Sequence, residues 1–219
     1  MNMIRAPLFF LIIISLFSVL RAQQPVYGIL IDNTGSMRVH FERELSFAKE
    51  IVSQIPEGSP VSLFRFETAS GTPANAVLQV VLTCSIDKTA VKRQIDSLYV
   101  LGGQTTLMDA AYSSIEVLTA KPETCGNYTE RNLILISDGE DRTSMIKFED
   151  LKSSLNKSQI RVSAIGLTGQ LEGKSRKLAK NFLEKITSET GGIVVFPENG
   201  QKPMDVVKQL LTINVRPSK

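Results

Sequence analysis

Lysine and arginine number 25 against 22 acidic residues in this chain of 219, and a net charge of +3 does not mark a nucleic-acid binder. Hydrophobic residues at 42% and charged residues at 21% exclude a disordered tail, a collagen and a coiled-coil rod. With two cysteines and a single histidine, His40, no Cys/His zinc cluster can be assembled, so any metal must be held by oxygen.

Arg5 precedes an almost unbroken apolar stretch from Leu8 to Leu20, and Leu20-Arg21-Ala22 offers a cleavage site before Gln23. Residues 1–22 therefore read as a secretory signal, followed by one domain over 23–212 and a tail over 213–219. The stretch is shorter than the ~20 apolar residues of a spanning helix, and no comparable run follows, so no transmembrane segment is expected in the mature chain. Leu20 is not a small residue, which leaves an uncleaved signal anchor as the alternative. Removing the signal deletes Arg5 and Arg21 and leaves 23 basic against 22 acidic residues, so no polybasic membrane patch is expected. The destination is secreted or periplasmic.

Strand candidates follow at Val26 to Ile31, Val61 to Phe66, Val77 to Leu82, Leu133 to Ile136, Val162 to Leu167 and Ile193 to Phe196. Runs such as Leu133-Ile134-Leu135-Ile136 lack period-two alternation, as strands covered on both faces do. Helical patterns lie between them at Glu42 to Ile55, Thr89 to Leu98, Leu107 to Leu118, Phe148 to Leu155 and Lys174 to Thr190, with a last one at Met204 to Leu211. The expected fold is α/β: a doubly wound, mostly parallel six-stranded sheet in order 3-2-1-4-5-6 with helices on both faces. Residues 67–76 hold Gly71 and Pro73 and no helical pattern, so a hairpin is expected there, with strand 3 antiparallel at the edge.

Ligands of such sheets bind beyond the carboxyl ends of the strands. Three oxygen-rich segments should meet there: Asp32-Asn33-Thr34-Gly35-Ser36, Gly102-Gly103-Gln104-Thr105-Thr106, and Ser137-Asp138-Gly139-Glu140-Asp141. Two carboxylates, Asp32 and Asp138, with the hydroxyls of Thr34, Ser36 and Thr105, form a set suited to a hard cation such as Mg²⁺, with Mn²⁺ and Ca²⁺ as alternatives. Taken singly, each segment also reads as an ordinary turn or helix cap. Glu140 and Asp141 read as solvated loop carboxylates, and His40 as a helix-surface residue.

These residues resemble the von Willebrand factor type A domain. Asp32-Asn33-Thr34-Gly35-Ser36 is similar to its D-x-S-x-S motif, and the Gly-Gly loop at Thr105 and Ser-Asp-Gly-Glu-Asp at Asp138 match its other two parts. Secreted bacterial members look closest, and the resemblance spans roughly Val26 to Leu211. It implies a metal-ion-dependent adhesion site with Asp32, Thr34, Ser36, Thr105 and Asp138 as ligands, in which a partner protein presents an Asp or Glu to the ion. Thr34 stands where Ser is commoner. The register of Ala110 selects Thr105 over Thr106, which is then a helix-entry hydroxyl.

An enzyme is not expected. No second Asp-Thr-Gly or Asp-Ser-Gly completes an aspartic-protease dyad, and neither a Gly-x-Ser-x-Gly elbow nor a phosphate-binding loop is present. Metal-assisted hydrolysis lacks a positioned base, and a structural or assembly module whose metal merely ties loops together is the remaining alternative. Export permits a disulfide, and the topology brings Cys84 and Cys125 to the end of the sheet away from the metal, favouring a bridge over two free thiols. Asn127-Tyr128-Thr129 and Asn156-Lys157-Ser158 match the glycan acceptor pattern.

Overall fold

The computed structural model describes residues 24–66, 78–120, 125–126 and 128–212. The predicted signal, hairpin turn and tail lie outside them, as does Asn127. The strands are β1 (Gln24–Asp32), β2 (Val61–Phe66), β3 (Leu78–Ser85), β4 (Tyr128–Ser137), β5 (Ile160–Gly166) and β6 (Val194–Val195). The helices are α1 (Phe41–Gln54), α2 (Lys88–Asp96), α3 (Leu107–Thr119), α4 (Phe148–Ser158), α5 (Gly173–Ser188) and α6 (Pro203–Thr212). Short 3-10 turns occupy Gly35–Val39 and Thr168–Gln170.

The sheet runs β3-β2-β1-β4-β5-β6, with β3 antiparallel to β2 and every other pairing parallel, as the order of strands and crossovers predicts. Alternate residues of β1 divide the core in two. Tyr27, Ile29 and Ile31 pack under α1, α2 and α6, whose contributions include Phe47, Ile51, Ile95 and Val207. Leu30 faces the other side, beneath α3, α4 and α5, with Ala111, Leu151 and Leu183. Both faces are therefore sealed, and only the strand ends remain for chemistry.

Cys84 and Cys125 are joined in a disulfide, with Cα atoms 4.9 Å apart, and lie against Val26 and Tyr128. Lateral distance across the sheet is the obstacle to this bridge in a sequence reading. It is overcome locally: the β2–β3 register shifts between Val61 and Leu63, and Cys84 turns through a left-handed φ of 49° while its N–H donates to Ser62 Oγ at 3.1 Å.

Candidate metal-ion site

The carboxyl ends of β1 and β4 lie side by side, with Ile31 paired to Ile136, so the residues that follow them emerge together. Asp32 ends β1, and Thr34 and Ser36 follow at the start of the first 3-10 turn. Asp138 directly follows β4. Thr105 arrives on the loop between α2 and α3, which Gly102 and Gly103 shape at φ of 101° and 81°, backbone that side-chain-bearing residues rarely adopt.

The three segments meet through their side-chain oxygens. Thr34 Oγ1 donates to Asp32 Oδ1 at 2.6 Å, lies 3.1 Å from Ser36 Oγ, and accepts from Thr105 Oγ1 at 3.1 Å. Ser36 also hydrogen-bonds Asp138. Adjacent ligands of an octahedral shell at Mg²⁺ distances stand about 2.9 Å apart, so this spacing suits a small hard cation. Among the described residues no group of three or more His, Cys, Asp or Glu side chains is placed to hold a metal.

The electrostatics fit the same group. Asp32 and Asp138 are buried. Burial, then repulsion from Asp138, raises the Asp32 carboxyl to about 7. Burial likewise raises Asp138, against hydrogen bonds from Glu140 N–H and Ser36. The charge that acts on Asp32 most strongly is the like charge of Asp138, so a bound cation would complement it.

Several supports escape the sequence reading. Glu44, fully buried in α1, accepts the Asp32 N–H at 2.8 Å, and its other oxygen has no partner. Burial, then the Asp32 charge, holds its carboxyl well above the ordinary value. A signal was present: Glu44 shares the helical face of Phe41, Leu45, Ala48 and Ile51, where an acid is out of place. Ser137 Oγ donates to Asp32 Oδ2 at 2.6 Å. Asn33 Nδ2 donates to Tyr99 O at 2.7 Å while its carbonyl accepts Leu101 N–H, clamping the first loop to the Gly-Gly loop. Arg142 N–H donates to Thr105 O at 2.9 Å and clamps that loop to the third. Asp109 accepts the N–H groups of Met145 and Ile146.

Three expectations change. Asp141 is not simply solvated; it accepts Leu107 N–H at 3.1 Å and Ser144 Oγ–H at 2.6 Å, closing the first turn of α3. Glu140 is mostly covered and pairs with Arg142. Thr106 holds the N-cap position of α3, yet its side chain makes no capping bond, because Asp141 takes that role from outside. His40 precedes α1 and is half-buried, with Nε2 lacking a partner; it is not a surface residue of the helix.

The model of the von Willebrand factor type A domain matches residues 28–209. The chain belongs to this family. Similar solved structures include the conserved hypothetical protein BatB from Bacteroides thetaiotaomicron, 18% identical, covering 85% of this chain and 97% of that one at a TM-score of 0.62. A von Willebrand factor type A protein from Catenulispora acidiphila is 18% identical, covering 86% and 42% at 0.63. Proximal thread matrix protein 1 from the mussel byssus, in a form with a zinc-occupied MIDAS motif, is 17% identical and covers 88% and 48% at 0.65. The chain thus spans nearly all of the first and under half of the other two. No curated protein sequence matches.

Proposed function

We propose that this von Willebrand factor type A chain is an exported, divalent-cation-dependent protein-binding module that catalyses no reaction. The observation that carries the proposal is the junction of the Thr34, Ser36 and Thr105 hydroxyls with the Asp32 carboxylate at oxygen spacings near 3 Å, with Asp138 hydrogen-bonded to Ser36 beside them. In this reading Asp32, Thr34, Ser36, Thr105 and Asp138 hold the ion, Mg²⁺ before Mn²⁺ or Ca²⁺. The bound ion supplies an open coordination position for a partner's Asp or Glu. Ser137, Glu44 and Asn33 fix the loops that carry the ligands. Hydroxyl ligands donate no net charge, which favours a carboxylate from outside.

The surface around the site supports a protein as partner. Of the eight large hydrophobic side chains exposed among the described residues, Val39, Tyr99, Leu101 and Met145 sit on the loops around the site. Apolar side chains rimming a polar centre are a mark of recognition surfaces. The disulfide supports export, since such bonds persist in oxidising compartments. We further propose that residues 1–22 are the signal and 213–219 the tail. Among the described residues no helix is long and apolar enough to cross a membrane.

The test compares wild type with Asp138→Ala. Mg²⁺ at a hundredfold excess over Kd should stabilise wild type by about 2.7 kcal/mol and leave the variant unmoved in thermal melting. Partner recovery from the source organism should then need both Asp138 and free Mg²⁺. Equal recovery by both proteins, with Mg²⁺ and with chelator, would assign the metal a loop-tying role and point to the assembly-module alternative.

A further inference from the structure

The N-terminal half of α5 carries a charge pattern that the metal site does not use. Residues 173–183 hold four cations, Lys174, Arg176, Lys177 and Lys180, and no acid. Lys174, Arg176 and Lys177 are exposed, as is Leu178. Arg176 donates to Gly169 O at 3.1 Å, and Lys180 Nζ lies 4.8 Å from the Phe196 ring centroid. Lys174 and Lys177 have no carboxylate partner among the described residues. Lys174 with Lys177, Lys177 with Lys180, and Arg176 with Lys180 stand three or four residues apart on one helix, where like charges repel. Within this row Arg176 and Lys180 are used by the fold, whereas Lys174 and Lys177 make no ion pair among the described residues.

Its position gives it a use. α5 starts from the carboxyl end of β5, the same end of the sheet as Asp32 and Asp138. Gly139, next to Asp138, packs so closely on this helix that a Cβ would lie 2.8 Å from Leu183 Cδ1 and 3.0 Å from Ala179 O. On the other flank, Gly169, tied down by Arg176, adjoins the His40 ring, which feels the Asp138 charge. The helix that carries the cationic row thus packs against the loop of Asp138 through Ala179 and Leu183, and Lys174 stands in its first turn, at the same end of the sheet as the proposed ion site.

We infer that the partner segment is acidic beyond a single residue: one Asp or Glu enters the ion site while further carboxylates lie along Lys174, Lys177 and Lys180. The inference rests on the metal-dependent reading above and specifies its partner. A flat anionic bilayer would meet the lysines but hold its head groups in one plane, whereas a peptide can place one carboxylate among the buried ligands of the loops.

The probes are two synthetic peptides of equal length, one with a single Asp in a Gly-Ser background and one with the same Asp followed by a run of Glu. Anisotropy titrations would use wild type, Lys174→Glu/Lys177→Glu and Asp138→Ala, each with excess Mg²⁺ and with chelator. Both lysines are exposed, so the double variant should melt like wild type. The acid-rich peptide should bind wild type about tenfold tighter than the single-Asp peptide, with the advantage lost on charge reversal and shrinking as salt rises. Equal Mg²⁺-dependent binding of the two peptides would overturn the inference and leave the metal reading standing. Preference for the acid-rich peptide that survives chelator and Asp138→Ala, yet falls on charge reversal, would keep the acidic partner and sink the metal reading. Failure of the acid-rich peptide to bind, or tighter lysine-dependent binding to phosphatidylserine vesicles, would overturn the inference.

Discussion

At the carboxyl end of the sheet, Asp32, Asp138 and Glu44 are buried together: the Asp138 charge raises the Asp32 carboxyl, both raise that of Glu44, and hydroxyls and backbone N–H groups hold them. At the opposite end, Cys84 and Cys125 are bonded to one another against Val26. The first end buries carboxylates that repel one another; the second ties two segments covalently. The two are linked along the chain, because the 41-residue separation of the cysteines spans α2, the Gly-Gly loop, Thr105 and α3. The difference teaches that the fold can carry an electrostatically costly end because its stability is drawn from elsewhere.

Breaking the covalent end should have the largest effect. Replacing Cys84 and Cys125 with Ser should cost about 4 kcal/mol in the chain-entropy model for a loop of this length, seen as a lower denaturant midpoint with a larger m-value, because the unfolded chain is no longer cross-linked. At the polar end, Glu44→Ala should cost about 3 kcal/mol, since it leaves the Asp32 N–H unsatisfied in the core and opens a cavity. Glu44→Gln keeps an acceptor and should restore most of that loss in the same chemical denaturation. Gly139→Ala should cost about 2 kcal/mol: φ is 80° there and the new methyl meets Leu183 and Ala179. Its melting temperature should fall even with Mg²⁺ present.

The smallest expected effect is a pH dependence that separates the ends. Asp32 titrates near 7 in the metal-free protein, above its unfolded value, so protonation favours the folded state. That contribution is complete below the unfolded pKa and is lost as pH rises through about 7. Metal competes with the proton, so apparent Mg²⁺ affinity should weaken by up to about tenfold per unit as pH falls below 7. Calorimetric titration at several pH values checks this; a flat profile would mean that Asp32 stays ionised without metal.

The pattern of apolar runs and helical spacing determined the α/β sheet, its order and the antiparallel β3, because periodicity records which faces are buried and crossovers have a fixed hand. Strand ends were less legible: β3 runs on to Ser85 and β4 begins at Tyr128, where exposure on an edge and pairing across the sheet decide the limits. The segments carrying Asp32, Thr105 and Asp138 were legible because hydroxyls and carboxylates after strands gather at one end of such a sheet. Tertiary structure alone decided the rest. Whether Asp141 is solvated or caps α3, whether Glu44 supports Asp32, and how Cys84 turns toward Cys125 depend on contacts between residues far apart in the chain. Those choices are set by the need to satisfy each buried polar group once the sheet has closed, a condition that local sequence does not carry.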